Sequence, residues 1–484
     1  MQNTQTRENP LGYEKIPVLL RRFATPSVVA MLVSALYNIV DQIFIGRYVG
    51  TLGNAATNVA FPITTICIAI SVLCGVGGAS CFSIELGRGK KEEAKSCIGT
   101  ALITAGVLGL VYALVSFFFG RGMLTLFGGA GVTLDYAVNY CKYLSIGIPF
   151  LILGNVMSNF IRADGSPKFS MVCMVSGGIV NIILDAVLVP YGGVEWGMQG
   201  AALATSLSQI FSFVLAAFYI KRFKSVKFRL REAYFSFRRA IQVCSLGMSN
   251  CVNQLAILVV QISMNNQLDA YGLLEYGEEL RHIPQAAFGV VIKVNSILIS
   301  FFVGMAQGSQ PIVGFNYGAN QWYRSKHTFR LSALICFGVA ALGFIIFQTV
   351  PHLVISIFGS GDAAYNEFAE KTMRIFLSMI MLNGVQMTIS NYFSAIGKPI
   401  KGIILSLIRQ VIIIVPLMII LPIYMGLDGV LYAAPITDFI SLDDDMINML
   451  CDAINVNKKA EHDASTDPDK GEYVEVTKDN LTIG

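Results

Sequence analysis

Few ionisable side chains interrupt the long apolar runs of this sequence, and two of them, Asp41 and Asp185, are carboxylates that could do chemistry there. A charge near the bilayer centre costs at least about 2.5–3.5 kcal/mol on insertion scales, which makes such a residue a functional candidate by default. Asp41 stands five residues before the end of the first run, and Asp185 five before Pro190 at the end of the fifth. Both runs point the same way, so the two carboxylates share a depth. Asn181 lies one turn before Asp185 on the same helix face. Asn155 and Asn159 on the fourth run and Thr205 on the sixth add neutral oxygens. Two carboxylates with amide and hydroxyl oxygens can hold a hard monovalent cation, or share one proton because like charges held close cannot both ionise. The plainer reading is that Asp41 and Asp185 cap helix ends or meet interfacial water.

The elements that must position these residues are membrane spans. A mean hydropathy of +0.61, with 54% hydrophobic and 14% charged residues, does not fit a soluble chain of 484 residues, in which roughly a quarter would be charged. Runs long enough to cross a bilayer, roughly 20 residues each, lie near 24–46, 58–84, 98–119, 136–160, 169–190 and 198–220. Five more lie near 243–266, 285–313, 329–350, 372–394 and 402–425. The polar segment 267–284, with Asp269, Glu275, Glu278, Glu279 and Arg281, reads as an external loop.

Shifted by 232 residues, the chain matches itself. Ser158-Asn159, Gly165, Pro167, Pro190, Gly197 and Thr205 face Ser390-Asn391, Gly397, Pro399, Pro422, Gly429 and Thr437. Such a repeat is the mark of a duplicated unit, and six spans per unit make the two copies parallel. The expected fold is therefore an all-α polytopic membrane protein of two six-helix bundles related by a parallel repeat. Its segments are an amino-terminal stretch 1–22, a bundle 23–220, a basic linker 221–242, a second bundle 243–442 and an acidic tail 443–484, for which disorder is the default. The last helix looks truncated, because Leu427–Leu442 is short for a span and contains Asp428 and Asp438.

Lys and Arg orient the chain, since cytoplasmic loops hold the excess. With the amino terminus inside, Arg21, Arg22, Arg88, Lys90, Lys91, Arg162, Lys168, the linker cations, Arg324 and Lys398 all face the cytoplasm. Few cations remain outside. The basic balance is thus topological; the loops can also touch anionic lipid, and without an aromatic-basic platform nucleic acid is not an expected partner.

The second unit differs from the first at the carboxylate positions: Ile413 faces Asn181 and Leu417 faces Asp185. It instead carries Lys293 and Arg409, with Gln254, Asn295 and Gln386 as neutral polar groups. The two cations either snorkel or pair structurally, or they serve gating and substrate repulsion in a cavity between the bundles.

No enzyme constellation emerges. Gly87-Arg88-Gly89-Lys90 mimics a phosphate loop, but Ile84 and Lys91 stand where the pattern needs Gly and Ser or Thr. The four His have no metal or nucleophile spacing, and the ten Cys give no disulfide or zinc pattern. No metal is expected beyond Na+, and no cleavable leader is visible in the polar first 22 residues.

Leu36-Tyr37-Asn38-Ile39-Val40-Asp41, Asn181-Ile182-Ile183-Leu184-Asp185, Lys293-Val294-Asn295-Ser296, Gln307-Gly308-Ser309-Gln310-Pro311 and Gly314-Phe315-Asn316-Tyr317-Gly318 together resemble the multidrug and toxic compound extrusion family, in its staphylococcal-type branch. The resemblance covers about residues 14–440. It implies a monomeric twelve-helix antiporter of the plasma membrane, bacterial by type, that exports lipophilic organic cations in exchange for Na+ or H+ and needs no organic cofactor. The family's amino-terminal cation site maps onto Asp41, Asn181, Asp185 and Thr205, with Asn155 or Asn159 beside them. Weighed against this are a flippase for a lipid-linked precursor, which would line its cavity with several cations, and a non-transporting membrane sensor.

Overall fold

The computed structural model describes residues 9–127, 129, 131–190, 193–228, 234–280, 283–357 and 363–440. The acidic tail and Arg281 lie outside the described residues. Regular structure among the described residues is helical throughout. The first six spans are α1 (Ile16–Tyr48), α2 (Thr51–Gly87), α3 (Lys91–Leu126), α4 (Gly131–Ala163), α5 (Pro167–Leu188) and α6 (Gly193–Ala217). After the linker come α7 (Phe237–Leu280), α8 (Ile283–Gly318) and α9 (Trp322–Thr349). One broken span then joins α10 (Ala363–Phe376) to α11 (Ile380–Ala395), bent by 50°. The next runs from α12 (Pro399–Leu407) through a π-helical turn, Ile408–Ile413, into α13 (Ile414–Met425), and α14 (Leu427–Ile440) ends the described chain.

Helices of 33 to 37 residues such as α1 to α4 run to about 50 Å at 1.5 Å per residue. The hydrocarbon core is only about 30 Å thick, so their ends stand in the headgroup layers. α14, with 14 residues, covers about 21 Å and stays short of a full crossing. It docks on α13 through Gly429, where an added Cβ would come within 2.4 Å of the Leu421 backbone.

The early and late spans meet where glycine lets backbones touch, the usual device for packing helices in lipid. Cβ atoms added at Gly304 and Gly308 of α8 would lie 2.5 Å from the Cα atoms of Val28 and Ala24 on α1. Gly247 of α7 abuts the Leu73 carbonyl of α2, and Gly318 that of Ile84. These contacts lie toward one end of the molecule, the end with the Lys- and Arg-rich turns. Hydrogen bonds reinforce them: Gln310 donates to the Val76 carbonyl and the Ser80 hydroxyl, both at 2.8 Å, and Arg162 donates to Gln307 Oε1 at 2.8 Å.

At this basic end the α4–α5 turn is built by Gly165, with φ of +85°, and Pro167; its repeat partner has Gly397 at φ +79° before Pro399. A positive φ is where glycine is needed. Asp164 in the first of these turns is buried and accepts hydrogen bonds from the Tyr219 hydroxyl (2.7 Å), the Lys224 amide (2.7 Å) and the Ser225 amide (2.8 Å). Burial raises its carboxyl above the usual range, while these three donors pull it back.

Three expectations are corrected. Residues 267–276 form no loop: α7 continues to Leu280, leaving helical geometry only at Gly277. Hydropathy marks where the bilayer ends, whereas a helix continues wherever its own backbone bonds are kept. Cys81 and Cys97 form a disulfide, with Cα atoms 6.1 Å apart, although their spacing showed no pattern; helix packing across the α2–α3 turn brings them together. Arg162 and Arg324 are not loop charges, being only 2% and 4% exposed. Arg162 donates to Ser170 Oγ and Asn159 Oδ1, and Arg324 Nε donates to Asn316 Oδ1 at 3.2 Å, as a planar guanidinium allows.

Candidate functional site

Helix packing brings the two predicted carboxylates together. α1 and α5 run side by side, and Gly178 of α5 leaves room for the Tyr37 ring of α1, with a Cβ there only 3.0 Å from it. One to two turns further along, Asp41 and Asp185 stand as neighbours across the α1–α5 contact. Asp185 finds no protein donor, and Asp41 finds none at Oδ1. Asp41 Oδ1, both carboxylate oxygens of Asp185 and both polar atoms of the Asn181 side chain are buried without a hydrogen-bond partner. Asp185 is 0% exposed and Asn181 1%.

Tyr37 and Tyr140 complete the pocket. The Tyr37 hydroxyl lies within reach of Ser34, Asn38 and Gln209, and Tyr140 of α4 stands close to both carboxylates. The α5–α6 register, fixed by Ser212 Oγ donating to the Cys173 carbonyl at 2.9 Å and by Gly200 against Leu188, sets Thr205 at the depth of Asn181. Gln209, one turn on from Thr205 along the same face, reaches Tyr37.

Asn155 and Asn159 are placed elsewhere. They lie some 22 and 28 Å of helical rise from Tyr140 along α4. Asn159 Nδ2 donates to the Asn155 carbonyl at 2.8 Å, and its Oδ1 accepts from Arg162 Nη2 at 2.8 Å. Asn159 therefore belongs to the Arg162 network at the basic end.

The donor set fits a small hard cation. Four oxygens from Asp41, Asp185 and Asn181 have no internal partner, and their chemistry is carboxylate and amide rather than thiolate or imidazole. No cluster of three or more His, Cys, Asp or Glu suited to a metal occurs among the described residues. Alternatively one proton between the two carboxyls satisfies both.

The second half places its candidates differently. Arg409 donates from Nε to Asp438 Oδ1 at 2.7 Å and forms an ion pair at 2.6 Å through Nη2, which also donates to Asn383. The pair is 12% and 6% exposed and pins α14 to the π-helical turn. Lys293 is half-buried with no carboxylate within 4.0 Å among the described residues, and Asn295 Oδ1 is buried without a partner. Gln285 donates to the Asn265 carbonyl at 3.1 Å, a register that sets Gln254 at the depth of Asn295. Gln386 is buried on α11, at the depth of Phe302. Tyr37, Tyr140, Gln209 and Asp438 were missed in sequence. For Tyr37 a signal existed, since it sits one turn before Asp41.

Comparison with known proteins agrees with this architecture. The MatE family model matches residues 26–187 and 281–446, more than half of the chain. Multidrug export protein MepA of Staphylococcus saprophyticus is 24% identical over 432 residues, spanning 88% of this chain and 92% of its own. The corresponding protein of Staphylococcus aureus strain N315 is 25% identical over 429 residues, with the same coverage. A solved complex of the MATE multidrug transporter DinF-BH superposes with a TM-score of 0.82 at 30% identity, covering 92% of this chain and 98% of that one. A MOP superfamily transporter from Pyrococcus furiosus, whose reversed pocket polarity suggests a different function, superposes with a TM-score of 0.83 at 23% identity, over 92% and 97% of the two chains. The chain is a multi-pass membrane protein and belongs to the MatE family of multidrug efflux transporters.

Proposed function

We propose that this protein is a secondary antiporter that expels lipophilic organic cations across the plasma membrane in exchange for Na+ or H+, with the coupling ion held by Asp41, Asp185 and Asn181. The observation that carries the reading is the pair of neighbouring carboxylates, Asp185 fully buried and Asp41 half-buried, in which both Asp185 oxygens and Asp41 Oδ1 lack a protein donor. Such a pair is costly unless a cation or proton neutralises it, so the ion is bound when the site is closed and released when water enters. Tyr37, Tyr140 and Thr205 line the same pocket and orient it. The chain does no covalent chemistry; the ion gradient supplies the work.

The basic end is cytoplasmic, with the amino terminus, because it holds the Lys- and Arg-rich turns. There α1 and α2 are closed on α7 and α8 through glycine contacts, and α4 on α8 through the Arg162–Gln307 bond. Alternating access requires these contacts to part, which is easier for short polar bonds and backbone contacts than for interlocked side chains. A flippase for a lipid pyrophosphate would need several free cations in the cavity; Arg409 is already neutralised by Asp438, and Lys293 remains.

The test is rhodamine 6G efflux from proteoliposomes under separately imposed Na+ and H+ gradients. Uphill movement under one of them is expected and names the ion; no movement with either, in folded protein, overturns the antiport reading.

A further inference from the structure

A second site lies at the basic end, away from the carboxylates. A cavity of about 550 Å³ opens there, lined by Arg22 of α1, Ser166, Lys168 and Phe169 at the start of α5, and Arg222 and Lys224 after α6. Arg22 is shared with Glu14 at 3.3 Å. Lys168, Arg222 and Lys224 have no carboxylate within 4.0 Å among the described residues, and all three are exposed. The acid nearest in sequence, Asp164, is turned inward and occupied by the Tyr219 hydroxyl and the Lys224 and Ser225 amides. It holds Tyr219 and the Lys224 backbone, both in the cavity lining, and makes no ion pair with the three cations.

Two apolar tracks lead to this cavity. On α5, Val172, Ile179, Ile183 and Val187 are 49–57% exposed and share one helix face, and Lys168 stands one turn beyond Val172. On α6 and the turn that extends it, Leu207, Phe211, Val214 and Phe218 are 40–64% exposed at the same kind of spacing, and Arg222 follows Phe218. Each lipid-facing track therefore ends in an unpaired cation beside the cavity.

We propose that this cavity binds the phosphodiester headgroup of an anionic phospholipid, with the acyl chains lying along the α5 and α6 tracks. Lys168, Arg222 and Lys224 hold the phosphate as charge-assisted donors. Cationic pockets between spans at the cytoplasmic leaflet select anionic headgroups. A free phosphate would satisfy the cations but leave the tracks unused, which is why the lipid is the favoured source.

The experiment is native mass spectrometry of the full-length protein in detergent, titrated with dioleoylphosphatidylglycerol, dioleoylphosphatidylcholine or glycerol 3-phosphate. Expected is one phosphatidylglycerol retained with at least tenfold preference over phosphatidylcholine, and no retention of glycerol 3-phosphate. Lys168→Gln with Arg222→Gln should lower the phosphatidylglycerol affinity at least tenfold. Lys221→Gln with Lys227→Gln, which removes the same amount of charge from the basic end but outside the cavity, should leave it within twofold. Equal loss in both variants, or equal binding of the two lipids, overturns the site; retention of glycerol 3-phosphate as tight as the lipid overturns the lipid reading. Should the first double variant melt abnormally, each single substitution reads the same site, with about a threefold loss expected.

Discussion

A carboxylate buried in a membrane without a donor is tolerated only when something else carries its charge. Asp185 is such a carboxylate, and Asp41 beside it buries Oδ1 without a donor, so Asp41→Asn and Asp185→Asn should each reduce gradient-driven rhodamine 6G efflux to the liposome leak rate while leaving the folded protein intact. Retained uphill transport in both would remove these residues from the coupling site. Tyr37→Phe keeps the ring against Gly178 but removes the hydroxyl within reach of Gln209. One lost hydrogen bond is about 0.5–1.5 kcal/mol, so the apparent ion affinity, read from efflux against ion concentration, should weaken by about 3- to 10-fold. The carboxylates were legible in sequence because a charge in an apolar run is conspicuous. Tyr140 and Gln209 were not, since a tyrosine or glutamine in a span is ordinarily packing; only the register of α4 and α6 against α1 turns them inward.

At the scale of elements, most spans could be read from hydropathy, and the duplicated Gly-x-Pro turns from the repeat. What escaped were features set by partners rather than by the run itself. In sequence Asp438 marks the polar end of a stub, yet it is the counter-ion of Arg409 that holds α14. In the repeat, Arg409 and Asp438 stand where Gly177 and Ser206 stand in the first half, so an ion pair fills positions that small residues occupy there. Removing one partner strands a buried charge, at about 3–5 kcal/mol. Asp438→Ala should therefore lower the thermal midpoint markedly, whereas Arg409→Met with Asp438→Leu should recover most of it; an additive loss in a double-mutant cycle would show that the pair is not what anchors α14. Asp164→Ala frees three buried donors that had a single acceptor residue. At least about 2 kcal/mol of stability should go with them, seen as an earlier melt and as faster proteolysis of the connection after α6.

For the whole molecule, the decisive fact is that the early and late spans touch backbone to backbone at the basic end. Gly308 and Gly318 stand in stretches that carry the family resemblance, but their purpose was not legible, because a glycine in a span shows nothing of which helix it faces. Gly308 illustrates the constraint: its missing Cβ would sit 2.5 Å from Ala24 Cα, a contact no rotamer change can relieve. Gly308→Val should therefore prevent closure of the basic end without touching the carboxylate pocket. Spin labels placed at Lys90 and Lys398, both exposed at that end, would report the separation by pulsed electron resonance. In Gly308→Val the distance distribution should move to longer values and efflux should fall at least tenfold, with equilibrium rhodamine 6G binding kept. Gly338→Val, where an added Cβ meets nothing within 4 Å, should change neither. An unchanged distance in Gly308→Val would mean that closure does not depend on the α1–α8 approach, and would shift the burden of gating to the Arg162–Gln307 and Gln310–Ser80 bonds.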